Sequence, residues 1–111
     1  EHLRTIYAVY RDVLLEQGLE FFIFGHAGNA HFHVNIVPRS SEELQRAMEL
    51  YERFAREVIR LGGAVAGEHG IGRIKRRFLA MQYDADHIEA MKRIKRFFDP
   101  LGRLNAGVLF P

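Results

Sequence analysis

The sequence contains no cysteine, which excludes disulfides, thiolate metal sites and cysteine nucleophiles and fits a reducing compartment. It contains no apolar run of the roughly eighteen residues that a membrane span requires. Its first residues form a charged amphipathic segment rather than a signal peptide. It also lacks a surplus of either charge: 16 basic residues against 14 acidic ones leave a formal charge of +2, too little to argue for a nucleic-acid partner. What these absences leave is a chain of 111 residues, expected to form one domain with a modest core.

Aromatic residues are plentiful, with nine Phe and four Tyr, so the core is expected to be aromatic. Basic residues cluster at Arg73, Lys75, Arg76 and Arg77 and again at Lys92, Arg93, Lys95 and Arg96. The second cluster reads as a solvated helix face. The first adjoins a glycine-rich stretch, where an anion-attracting role and a plain solvated surface are both open.

Two stretches organise the rest. The first, from Gly25 to Asn35, holds three of the six histidines between two apolar runs. Residues 20–26 read as an aromatic strand, and residues 31–37 alternate strictly. Ala27-Gly28-Asn29-Ala30 between them has hairpin length and turn composition. Pro38 ends the second strand by removing a ladder donor. A turn centred on Gly28-Asn29 places His26 opposite His31, Phe24 opposite His33 and Phe22 opposite Asn35. Residues opposite each other share a face, so His26, His31, His33 and Asn35 would project together. Phe21, Ile23, Phe32, Val34 and Ile36 would face the other way, toward helices.

The second stretch is Gly67-Glu68-His69-Gly70-Ile71-Gly72, whose three glycines in six positions predict a loop.

Around these the pattern predicts helices. Residues 2–17 carry an apolar face at Leu3, Ile6, Tyr7, Tyr10, Val13 and Leu14, with Gly18 as the stop. Ser40 and Glu43 read as a capping box, each side chain taking the other's backbone N–H. The helix they open carries a stripe of Leu44, Ala47, Met48, Tyr51, Phe54, Ala55 and Val58 and stops at Gly62-Gly63. Ala64-Val65-Ala66 reads as a short buried strand, and Ile74 to Gln82 as a short helix. Asp86 with Glu89 is expected to cap a last helix striped by Ile88, Met91, Ile94 and Phe98 and ended by Asp99-Pro100 and Gly102.

Imidazole suits Zn²⁺, Fe²⁺, Mn²⁺ and Co²⁺. Two histidines on a strand face with an outside carboxylate make an open metal site, and Glu68 is the candidate carboxylate. Its neighbour His69 is then placed to act as a general base. His2 and His87 fall on helix surfaces and read as structural.

Two resemblances follow. His31-Phe32-His33-Val34-Asn35-Ile36-Val37-Pro38 is similar to the alternating-histidine strand of histidine-triad nucleotide hydrolases, although that family has a histidine where Asn35 stands. The second covers nearly the whole chain from Phe21 onward. Gly25-His26-x-Gly28 followed by His33-x-Asn35 resembles the Gly-His-x-Gly-Asp-Gly-Asn-x-His-x-Asn motif of FAD-linked oxidases of the D-2-hydroxyacid dehydrogenase type. Gly67 to Gly72 with Lys75 resembles that family's Gly-Glu-His-Gly-Ile-Gly motif and following lysine. Asp99-Pro100-Leu101-Gly102-Arg103-Leu104-Asn105-Ala106-Gly107 resembles its Asp-Pro-x-Gly-x-Leu-Asn-Pro-Gly ending.

The second resemblance implies an α+β fold, an antiparallel hairpin packed on helices as a ferredoxin-like half of the family's C-terminal domain. It implies that His26, His33 and Glu68 bind a divalent metal (Zn, Mn or Fe), that His69 is the catalytic base and that Asn35 contacts substrate. It places Asn105 toward FAD, with Lys75 and Arg73 drawing in the anionic 2-hydroxy acid. His31, where the family has Asn, would add to or compete with the ligands. No flavin-binding module is recognisable and the chain opens on Glu, so residues 1–111 are expected to be a C-terminal fragment, inactive alone. The setting implied is cytoplasmic, reaching a membrane only through an electron acceptor whose identity is open. A non-catalytic, metal-binding homodimer is the remaining alternative.

Overall fold

The computed structural model describes residues 2–110. The chain divides between Gly62 and Gly63 into two compact units. The fold is α+β, with one two-stranded antiparallel sheet and helices on either side of it in sequence.

In the first unit the order is α1 (His2–Glu16), β1 (Phe21–His26), β2 (His31–Ile36) and α2 (Ser41–Arg60). The apolar spacing of α1 buries Ile6, Tyr10, Val13 and Leu14. They pack with Leu19, Leu50 and Phe54, and the apolar side of the hairpin (Phe21, Ile23, Phe32, Val34 and Ile36) closes on this core. Burying one such side chain contributes about 1.5–3 kcal/mol, so the hairpin's orientation is held from beneath.

The end of α1 explains how the chain turns into β1. The Gly18 N–H donates to the Leu15 carbonyl at 3.0 Å and the Leu19 N–H to the Leu14 carbonyl at 3.3 Å. That paired reverse bonding needs a left-handed residue, which Gly18 supplies at φ 63°. Leu14 and Leu19 meet in the core immediately below.

Ser40 caps α2 by accepting the Glu43 N–H at 3.1 Å. The reciprocal half of the expected box is displaced: the Glu43 carboxylate accepts from the Arg39 N–H at 2.7 Å rather than from Ser40. The buried face of α2 is Ala47, Leu50, Phe54 and Ala55. Leu44, Met48 and Tyr51 from the expected stripe are exposed, while Leu50, outside it, is buried. Tyr51 sits at the edge of the hairpin and donates its hydroxyl to the Val34 carbonyl at 3.0 Å.

The second unit contains a long loop, a 3-10 turn at Arg76–Phe78, the short α3 (Leu79–Gln82), α4 (Ala85–Phe98) and a turn-rich tail. Residues 64–66 form no strand; they run as irregular chain, and the Val65 N–H finds the Gln82 side-chain oxygen at 3.2 Å instead of a ladder. The expected helix from Ile74 is a turn, a 3-10 segment and one α-turn. The cap of α4 is Asp84, not Asp86, because Asp84 has the extended backbone (φ −72°, ψ 173°) that lets its carboxylate take the His87 N–H.

Nor does α4 bury a stripe: Ile94 is 62% exposed, Phe98 75% and the adjacent Phe97 80%. Its anchor is polar. The buried Asp99 accepts from Lys95 and from the Arg103 and Leu104 N–H groups, both at 2.9 Å. The Lys95 ammonium also donates to the Leu104 carbonyl at 2.6 Å. The Lys95 contact, with the backbone N–H donors, holds the Asp99 carboxyl below the usual carboxylate range. Among the described residues no helix is long and apolar enough to cross a membrane.

Candidate metal and substrate site

The first unit presents the histidine hairpin. Its register pairs Phe22 with Asn35, Phe24 with His33 and His26 with His31, as the turn composition predicts. The turn itself is a single 3-10 segment, Ala27–Asn29, closed by Ala30 in the left-handed region at φ 51°. At Gly25 the strands come unusually close: a Cβ built there would land on the His31 carbonyl oxygen. Only glycine fits without moving backbone, which is the physical reason for a glycine beside His26.

The strand alternation puts the imidazoles together. Ring centroids lie 4.6 Å apart for His31 and His33, 5.7 Å for His26 and His33, and 5.9 Å for His26 and His31. Phe24 stacks on His33 at 5.0 Å with 24° between the planes. His31 and His33 are half-buried, whereas His26 and Asn35 are exposed. With metal–nitrogen bonds of about 2.0–2.1 Å, ring centroids stand about 3 Å from a shared ion and so about 4.5–5 Å from each other. The two pairs that include His26 stand wider than this, and it is the donor chemistry of the imidazoles that suits a divalent cation.

The second unit holds Glu68, His69, Arg73, Lys75 and Asn105. The glycine stretch is a loop, and Gly67, Gly70 and Gly72 all have positive φ. Its frame is the Ala66 carbonyl, which accepts both the His69 N–H at 3.2 Å and the Lys75 ammonium at 3.3 Å. His69 Nε2 stands 3.7 Å from the Glu68 carboxylate, both side chains more than half exposed. Arg73 is exposed and Lys75 half-buried, its ammonium bracing the loop. Asn105 takes a left-handed backbone at φ 47° and its carbonyl accepts the Val108 N–H.

Three supporting residues escaped the sequence reading. Gln82 ties down Val65, Arg76 donates to the Gly107 carbonyl at 3.0 Å, and Lys95 bridges Asp99 and Leu104. Only the last had a usable signal, the i,i+4 spacing of Lys95 and Asp99.

Residues 1–109 match the family described as "FAD linked oxidases, C-terminal domain". The chain is 34% identical over 101 residues to glycolate oxidase subunit GlcD of Bacillus subtilis (strain 168), covering 89% of this chain and 22% of that protein. It is 40% identical over 87 residues to a probable mitochondrial D-lactate dehydrogenase of Danio rerio, covering 77% of this chain and 18% of that protein. It is 30% identical over 112 residues to the mitochondrial D-lactate dehydrogenase (cytochrome) of Arabidopsis thaliana, covering 99% and 20% respectively. The chain thus spans 18–22% of the length of these relatives.

Proposed function

The chain belongs to the C-terminal domain family of the FAD linked oxidases, and from that premise we propose that it is the substrate-side part of a longer flavin-dependent oxidoreductase that oxidises a D-2-hydroxy acid to the 2-oxo acid. The observation that carries the reading is the hairpin register, which sets His26, His33 and Asn35 on one strand face. Relatives named as a glycolate oxidase subunit and a D-lactate dehydrogenase support the substrate class, with D-lactate and glycolate as its first candidates.

In this reading His26, His33 and Glu68 hold a divalent cation, Zn, Mn or Fe. Once bound, the cation supplies Lewis acidity to the substrate's hydroxyl and carboxylate. FAD, held mainly by the rest of the longer protein with Asn105 toward it, supplies the acceptor for the hydride from Cα. His69 takes the hydroxyl proton. The Asn35 amide contacts the substrate. Lys75 and Arg73 raise the local concentration of the anionic acid. Loss of one proton to His69 and one hydride from Cα converts the alcohol carbon to a carbonyl, a ketone from D-lactate and an aldehyde from glycolate.

The test is dye reduction by the full-length protein with D-lactate, glycolate and their homologues. His69→Gln should lower kcat by about 10²–10⁴ with flavin content unchanged, and the 111-residue chain alone should not turn over. A full-length protein that reduces the dye with no D-2-hydroxy acid would overturn the reading. Turnover by the isolated chain would overturn the division of labour. Two further proposals stand beside it: a cytoplasmic setting with membrane contact only through the electron acceptor, which cell fractionation reads, and homodimerisation of the isolated chain. The apolar residues exposed on α4 support the second, and sizing chromatography measures it.

A further inference from the structure

We propose that Phe22 and Phe24 form an apolar wall for the substituent on the substrate's Cα, so that the site prefers D-2-hydroxy acids with an aliphatic or aromatic side chain to glycolate. This rests on the proposed function and deepens it by naming the substrate class.

Side chains alternate along β1. Phe21 and Ile23 pack on the core of the first unit, whereas Phe22 and Phe24 leave by the opposite face and stay 58% and 54% exposed. The two rings therefore do little for the core. They leave neighbouring apolar surface in water, where a ligand can cover it.

Their place in the ladder indicates which ligand. Phe24 pairs with His33 and Phe22 with Asn35, and residues opposite each other share a face. The rings thus stand beside the proposed cation ligand and the proposed substrate contact. Side chains on one face of a strand repeat about every 6.5–7 Å, so an acid reaching from a cation at His33 to the Asn35 amide runs along β2 with both rings flanking it. A one-residue slip would reverse the faces, but Phe32, Val34 and Ile36 are packed on the same core and hold the register.

The rings also select the kind of substituent. Phe24 already spends one face on His33, with centroids 5.0 Å apart, and Phe22 is the more exposed of the two. The face of a phenyl ring carries partial negative charge, which suits alkyl and aryl groups and repels a carboxylate. Glu20, two residues before Phe22 and still bonded to Val37 across the hairpin, holds Arg39 with its carboxylate at 2.5 Å. A second carboxylate on the substrate would meet aromatic faces and an ion pair already closed. Each buried methylene is instead worth roughly fourfold in binding.

The test is dye reduction by the full-length protein with glycolate, D-lactate, D-2-hydroxyisocaproate, D-phenyllactate and D-2-hydroxyglutarate, for the unchanged sequence, Phe22→Leu and Phe22→Ala. Flavin content and circular dichroism confirm the fold of each. In the unchanged protein kcat/KM should rise from glycolate through D-lactate to the two larger apolar acids, with D-2-hydroxyglutarate below them; this order needs no variant. In Phe22→Ala the ratio of kcat/KM for D-phenyllactate to that for glycolate should fall at least about tenfold, the scale on which apolar pockets discriminate. Phe22→Leu, which keeps apolar contact, should retain more of that ratio than Phe22→Ala. If the unchanged protein prefers glycolate, or if the ratio is the same in Phe22→Ala, the wall does not exist and the oxidation of D-2-hydroxy acids stands. If none of these acids reduces the dye, both readings fall.

Discussion

Phe24 lies directly opposite His33 across the hairpin, and their rings stack with centroids 5.0 Å apart and 24° between the planes. Phe24 is exposed, so its burial does little for the core. What the stack does is restrict the His33 ring, so that less orientational freedom is lost when a nitrogen engages a cation.

Phe24→Ala should therefore weaken Zn²⁺ binding by a few-fold to about tenfold, in line with the 0.5–1.5 kcal/mol typical of an aromatic pair, and leave the urea midpoint nearly unchanged. Calorimetry and urea unfolding on the same preparation check this. An unchanged Zn²⁺ affinity would make the stack incidental.

Gly25→Ala tests the close approach of the strands. The added methyl meets the His31 carbonyl, a backbone atom that can move only by parting β1 from β2. The expected cost is about 1–3 kcal/mol, the range for overpacking, read as a lower denaturant midpoint. Metal affinity should fall with it, because the same displacement moves His33 on β2 away from His26 on β1.

Tyr10 makes stability sensitive to alkali. Burial pushes its phenol up from 10.0 to about 12, and it packs edge-on against Phe54 at 4.8 Å. The folded chain keeps the proton at pH values where the unfolded chain has lost it. This contribution is therefore full below pH 10.0 and is lost as pH rises toward about 12. Tyr10→Phe should flatten the fall of the urea midpoint across that window. Tyr51, raised by burial as well, should account for part of the slope that is left.

Asp99 acts at the other end of the pH scale. Its carboxyl is lowered by the Lys95 contact and by the Leu104 and Arg103 N–H groups. The stability it contributes is present above the ordinary carboxylate range and is lost as pH falls through the lowered value. Asp99→Asn should speed hydrogen exchange at the Arg103 and Leu104 amides several-fold at neutral pH, since each loses a charged acceptor. Unchanged exchange would show that the tail turn is held by other contacts.

Most of the hairpin could be read in advance because local rules and burial agreed there. Turn residues of the right length, strict alternation from His31 to Ile36 and Pro38 beyond all select one register. Gly18 was legible for the same reason, as helix periodicity and a left-handed stop coincide. The second unit resisted because competing signals there had similar strength. Asp84 and Asp86 can both cap a helix, and the Asp86–Glu89 pair matches the capping pattern better, yet the backbone turns at Asp84.

The α4 stripe failed for another reason. Periodicity reports which side of a helix is apolar, not whether anything covers it, and Ile94 and Phe98 remain exposed. On α2 the expected stripe was rotated, since Tyr51 reaches the edge of β2 and Leu50 takes the core position. Of the site residues, His26, His31, His33 and Asn35 follow from strand geometry. Glu68, His69, Arg73, Lys75 and Asn105 came from motif resemblance and local chemistry, because a loop with three left-handed glycines has no periodicity to project.

The most direct measurement is anaerobic reduction of the flavin in the full-length protein that carries these residues. The account predicts that a D-2-hydroxy acid such as D-lactate or glycolate bleaches the flavin absorbance, that deuterium at Cα slows the bleaching, and that His69→Gln slows it further without loss of flavin. A flavin-loaded protein that no D-2-hydroxy acid bleaches would contradict the account.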